Sequence, residues 1–152
     1  MSELFSGPIH DGLTIGELPS HNYRVPRTLL AEEAAAQLRT DPKLPGIMIL
    51  EHHGGPLVGV ISRTRLLDLL SQSFGRELYL KRPVGNMLGD RTTLVLPATT
   101  PVPAAASAAL GRPTDEAFEP LVAAFPDRPP LLIDAHVLLI AQSQMLAFAT
   151  AT

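Results

Sequence analysis

The chain contains an approximate copy of itself. Thr14-Ile15-Gly16-Glu17-Leu18 returns as Pro83-Val84-Gly85-Asn86-Met87-Leu88, and each string opens the same succession of segments. Tyr23-Arg24-Val25-Pro26-Arg27-Thr28 and an Ala-rich stretch follow the first; Leu94-Val95-Leu96-Pro97-Ala98-Thr99-Thr100 and another Ala-rich stretch follow the second. The copies converge again where Val60-Ile61-Ser62-Arg63-Thr64-Arg65-Leu66-Leu67 lies over Leu132-Ile133-Asp134-Ala135-His136-Val137-Leu138-Leu139, displaced by about 72 positions. A period of that length is a whole supersecondary unit, and so small a unit cannot bury much core alone. The duplication therefore predicts two similar units packed together about a pseudo-twofold axis.

Bulk properties remove several classes of function. The 152 residues, 45% of them apolar, suit one compact domain or two small packed halves. A net charge of −3, with its charges scattered, lacks the basic footprint of a nucleic-acid surface, so no nucleic-acid partner is expected. Cysteine is absent, which excludes disulfides, a thiolate nucleophile and cysteine-ligated zinc, and agrees with the cytoplasmic location we expect. Residues 1–12 carry no basic flank and no continuous apolar run, so neither a signal peptide nor a membrane anchor is expected there. The longest apolar run, 135–141, contains His136 and is too short to span a bilayer, so no membrane partner is expected.

Periodicity then supplies the elements. Over 29–38, Leu29, Leu30, Ala34 and Leu38 share one side and Glu32, Glu33 and Gln37 the other, which predicts an amphipathic helix with Thr28 as its N-cap. Asp41-Pro42 and Pro45-Gly46 end it. The apolar run 47–50, a turn at Gly54-Gly55 and a second run at 57–61 predict a hairpin of buried strands. A helix over 63–73 follows, with Leu66, Leu67, Leu69 and Leu70 as its apolar face and Phe74-Gly75 as its stop. The second copy gives a strand at 93–96, a helix at 102–110, a polar insert at 112–116, strands at 118–123 and 130–133, and a helix from Ala135. The apolar positions of that helix, Val137, Leu138, Ile140, Ala141, Met145 and Phe148, cover more than half its circumference, so part of it is expected to meet another chain or domain. The chain accordingly divides into an N-terminal extension (1–13), a first repeat (14–75), a short basic and aromatic linker (76–82) and a second repeat with its C-terminal helix (83–149).

Strand, helix, strand, strand, helix occurs twice, with Pro-x-Thr before the first helix and Gly55-Pro56-Leu57-Val58-Gly59-Val60-Ile61-Ser62 leading into the second. This pattern resembles a cystathionine-β-synthase (CBS) domain pair, or Bateman module, over about 14–148. Phe74-Gly75-Arg76 with Arg82-Pro83-Val84, and Leu138-Leu139-Ile140-Ala141-Gln142-Ser143-Gln144, are similar to the variant found beside bacterial signalling output domains. The resemblance implies an α/β (α+β) fold of two β-α-β-β-α repeats, and two clefts in which adenine nucleotides or S-adenosyl compounds bind to regulate an attached or partner protein. It places Pro26, Thr28, Ser62 and Arg65 from the first copy, and Pro97, Thr99, Asp134 and Val137 from the second, at those clefts. Members of the family commonly carry an Asp three residues after the Ser or Thr, to accept hydrogen bonds from the ribose hydroxyls. Here Ser62 is followed at that spacing by Arg65, and Asp134 by Val137. A guanidinium only donates and a valine does neither, so an adenosine ligand would need other contacts.

Each candidate also has a plainer role. Arg65 could face an anion at the start of its helix, or be a solvated or carboxylate-paired surface residue. Ser62 and Asp134 are expected as N-caps of the helices that follow them. His52 and His53, beside Glu51, invite a metal reading, but strand neighbours point to opposite faces, so no metal site is expected. His136 is expected to be solvated or otherwise satisfied. No nucleophile elbow, glycine-rich phosphate loop or magnesium-type acidic cluster is present, and no catalytic residue is assigned. The expectation is a non-catalytic regulatory module that forms a homodimer and relays ligand or partner state to a signalling output domain or protein. The alternatives are an adenine-nucleotide or S-adenosyl sensor with unusual ribose contacts, and a dimerisation scaffold without a ligand. Because no output domain follows the last helix before Thr152, the chain is expected to be a stand-alone adaptor or a piece of a longer signalling protein.

Overall fold

The computed structural model describes residue 10, residues 12–72 and residues 80–150, with side chains as far as Ala147. The helix stop at Phe74-Gly75, the linker residues 76–79, most of the 1–13 extension and the apolar position Phe148 lie outside that description. Two compact units divide the chain. A continuous unit is Asn22–Thr93, and a split unit joins the stretch ending at His21 to the stretch beginning at Leu94. The repeats of sequence are thus not the units of packing, because each leading string is built into the unit that holds the other repeat.

In the continuous unit the order is β1 (Arg24–Pro26), α1 (Ala31–Thr40), β2 (Gly46–Leu50), β3 (Leu57–Ser62) and α2 (Arg63–Ser71). β2 is central, parallel to β1 and antiparallel to β3. That position explains its unbroken apolar sequence, since all five of its residues are buried. The split unit repeats the plan with β4 (Val95–Pro97), α3 (Val102–Leu110), β5 (Leu121–Ala124), β6 (Leu131–Ile133) and α4 (Ala135–Thr150), with β5 central. Ala31, Ala34, Ala35 and Leu38 are the buried stripe of α1; Val102, Ala105, Ala106 and Ala109 are that of α3. Both stripes run i, i+3, i+4, i+7, which is the helical face, and the second lies about 71 positions after the first.

The duplicated strings become 3-10 turns, Ile15–Glu17 and Val84–Met87. Gly16 N–H donates to the Ala98 carbonyl at 2.9 Å, and Gly85 N–H donates to the Arg27 carbonyl at 3.0 Å. A Cβ on Gly16 would lie 3.0 Å from both Cβ and O of Ala98; on Gly85 it would lie 2.7 Å from Arg27 Cβ and 3.0 Å from its carbonyl. Glycine recurs here because two backbones meet with no room for a side chain.

Several boundaries differ from the sequence expectation, for non-local reasons. α1 starts at Ala31, and Thr28 is an exposed turn residue instead of its cap. Leu30 is held extended by a bridge to Pro83, while the N–H groups of Ala31 and Glu32 donate to the carbonyls of Arg82 and Leu80. Those carbonyls satisfy donors that a side-chain cap would otherwise serve. Leu29 and Leu30 therefore lie outside the helix, and residues 80–82 of the expected linker belong to the packed unit. β4 begins at Val95 and not at Thr93. β5 begins at Leu121, because the apolar residue Phe118 sits in the preceding loop, 71% exposed.

Candidate functional site

Ser62 ends β3 in an extended conformation and caps α2, its buried Oγ accepting the Arg65 N–H at 3.1 Å. Asp134 does the same for α4, with Oδ1 accepting the His136 N–H at 2.9 Å. Both caps are local consequences of a polar side chain at a strand-to-helix junction.

The positions three residues on behave differently. Arg65 turns back over the end of the second 3-10 turn, where Nη1 donates to the Leu88 carbonyl at 2.9 Å. Gly89, at φ +66°, makes this possible, because a Cβ there would lie 2.6 Å from Arg65 Nη2. Val137 is a core residue, 8% exposed and packed with Leu13, Ile15 and Leu18 among others.

Two arginines that sequence reasoning passed over organise the loops entering β2 and β5. Arg63 Nε donates to the Leu44 carbonyl at 2.8 Å, and its Nη2 donates to the Asp41 carbonyl. In the second copy that position is Ala135, and Arg112 holds the longer 111–120 loop from its own start. It donates to the carbonyls of Ala109 (3.1 Å), Pro120 (3.4 Å), Ala117 (3.2 Å) and Glu119 (2.7 Å). Burial pushes the Arg112 pKa down, against the opposing pull of Glu119 and Glu116. The only sequence signal was an arginine directly after a helix-ending glycine, Gly111-Arg112-Pro113.

Strand register separates the other candidates from these junctions. Pro26 pairs with Leu50, at the carboxyl end of β2, whereas Ser62 pairs with Gly46, at its amino end. Pro97 pairs with Ala124 and Ile133, just before Asp134, with Leu121, which repeats the same separation across β5. At about 3.3 Å per residue, the two sets lie roughly 10–13 Å apart along the central strands. Thr28 and Thr99 are exposed turn residues beyond Pro26 and Pro97. Within either unit, then, Pro26 and Thr28 do not converge with Ser62 and Arg65, nor Pro97 and Thr99 with Asp134 and Val137.

In the β2–β3 turn, His52 Nδ1 lies 3.3 Å from the His53 carbonyl, and Glu51 Oε1 accepts from Arg27 Nη1 at 3.0 Å. Among the described residues no three His, Cys, Asp or Glu side chains form a group able to hold a metal ion. No described helix is long and apolar enough to cross a membrane.

No family model and no curated protein matches the sequence. Solved structures do match in fold. CBSX2, solved in complex with AMP, is 23% identical with a TM-score of 0.63, over 88% of this chain and 98% of that one. A CBS-domain-containing protein of unknown function from Bacillus anthracis is 16% identical with a TM-score of 0.65, over 94% and 97%. A putative acetoin utilization protein (AcuB) from Vibrio cholerae is 13% identical with a TM-score of 0.64, over 92% and 97%.

Proposed function

We propose that this chain, whose fold is that of a CBS-domain pair, is a non-catalytic regulatory module that self-associates and relays the state of a ligand or partner to an output domain or protein. The observation that carries the reading is the doubled β-α-β-β-α unit, with matching helix stripes and matching glycine contacts, in a fold shared with many CBS-domain proteins. Self-association is supported by α4. Val137, Leu138 and Ala141 serve the core of the split unit itself, while Leu146 is 60% exposed and Ile140 is only partly covered, an apolar edge that a second copy could bury.

A second reading, an adenine-nucleotide or S-adenosyl sensor, is favoured by one observation: a protein of like fold has been solved with AMP. The two positions where a ribose-binding carboxylate would stand argue for unusual contacts, because Arg65 is engaged with the Leu88 carbonyl and Val137 is in the core. A ligand-free dimerisation scaffold remains the reading if neither unit takes such a ligand.

One pair of measurements tests the assignment. Sedimentation at micromolar concentration should give a dimer, and a monomer there overturns self-association. Titration with AMP, ADP, ATP and S-adenosylmethionine, read as heat and as a rise in melting temperature, should show saturation for the sensor. Flat responses at millimolar ligand discard the sensor and leave the scaffold.

A further inference from the structure

We infer that the outward sides of α3 and α4 form an uncharged surface by which the split unit pairs with the split unit of a second copy, and that α1 and α2 of the continuous unit stay outside that contact. This surface rests on the self-association proposed above and gives it a location.

The duplicated fold supplies an internal comparison. α1 and α3 bury the same stripe at matching positions, but their other positions differ in kind. At the displacement of about 71 that relates the stripes, Glu32 becomes Pro103, Glu33 becomes Ala104, Gln37 becomes Ala108 and Arg39 becomes Leu110. At the displacement of about 72 that relates α2 to α4, the exposed Asp68 becomes Ile140. Neither α3 nor α4 contains an Asp, Glu, Lys or Arg, whereas α1 and α2 each contain three; His136 is the only ionisable side chain on either helix of the split unit. The fold does not demand that loss, since α1 carries charge outward around an equivalent buried stripe. Pro103, Ala104, Ser107 and Leu110 are nevertheless exposed, Leu110 at 52%, and α3 packs against α4, where Leu146 is exposed as well. Apolar residues gathered on outward helix sides, with no charge among them, are the composition of a contact surface.

Charge decides the occupant. Across a twofold axis a patch meets its own copy, so a charge near the axis faces its like, at a cost of several kcal/mol when juxtaposed. The α1 side, with Glu32, Glu33 and Arg39, brings charges to such a contact; α3 brings none. A membrane surface would call for a basic rim beside the apolar residues, and neither α3 nor α4 has a Lys or Arg. The small side chains of Ala104 and Ser107 let a facing helix approach closely, with Leu110 at the end of α3 to pack over it.

Matched substitutions in the full chain test the surface, because Ser107 and Ala36 are equivalent, exposed positions of α3 and α1. By sedimentation, Ser107→Glu should raise the dimer dissociation constant at least about tenfold, while Ala36→Glu should leave it unchanged. Circular dichroism of both should match the parent, since either side chain reaches water in the monomer. The chain has no cysteine, so Ser107→Cys and Ala36→Cys provide a second measurement in nearly isosteric variants. The thiol at 107 should be labelled more slowly at dimeric concentrations than after dilution, and that at 36 equally fast at both. A monomeric parent defeats self-association and this surface together. A dimeric parent in which the two glutamate variants behave alike, or in which the thiol at 107 is not protected, defeats the surface and leaves self-association standing.

Discussion

Glycine at 85 is required by a contact between two backbones, and the cost of altering it follows from the distances. Gly85→Ala forces a methyl to within 2.7 Å of Arg27 Cβ, and we expect a loss of about 1–3 kcal/mol in urea unfolding, the usual range for overpacking. An unchanged midpoint would show that the turn at Arg27 yields freely. Glu17 carries a pH-dependent contact. The Thr14 backbone N–H, at 2.9 Å, and then His10, at 3.0 Å, hold its carboxyl below the ordinary carboxylate range. A depressed folded pKa contributes stability that is present above the unfolded value and lost as pH falls through the folded one. Glu17→Gln should therefore flatten the loss of stability on acidification through the carboxylate range, with little effect at a pH where Glu17 is protonated in both the folded and the unfolded parent; an identical acid profile would dismiss the contact. Gly85 was visible in sequence because its string recurs. Glu17 has a local signal too, the Thr-x-x-Glu spacing of a capping box at Thr14.

At the scale of elements, patterning was legible wherever the forces are local. The helix at Val102–Leu110 and the caps at Ser62 and Asp134 follow from side-chain spacing and cap chemistry alone. The start of α1 did not, because a bridge between Leu30 and Pro83, far apart in sequence, decides where the helix begins. The loop before β5 is similar: Phe118 reads as strand, yet Arg112 gathers four carbonyls into a turn that ends at Pro120. Arg112→Met should cost about 2 kcal/mol, since bonds to a charged donor are lost and half-buried carbonyls lose their partner. Arg112→Lys should not recover it, because an ammonium on a flexible stem cannot span four acceptors as a planar fork does. A lysine variant as stable as the parent would reassign the effect to charge alone.

Over the whole molecule, the chain passes from one unit to the other at His21–Asn22 and again at Thr93–Leu94. A fragment of residues 22–93 contains both core and caps, and should fold by circular dichroism and amide dispersion. Residues 94–152 alone lack Leu13, Ile15 and Leu18 from their core, and lack the partners of the Val102 and Leu132 N–H groups, so they should remain unfolded. A folded 94–152 fragment, or an unfolded 22–93 fragment, would contradict that division. What the amino-acid sequence determined by itself was the duplication, the order of elements and the class of fold, because the periodicity of apolar residues and the residues that cap or break elements act over a few positions. Only tertiary structure decided which string joins which sheet, what Arg65 and Arg112 hold, and that Pro26 and Ser62 stand at opposite ends of one sheet. Those outcomes depend on hydrogen bonds and close contacts between residues tens of positions apart, and no local pattern specifies the partner.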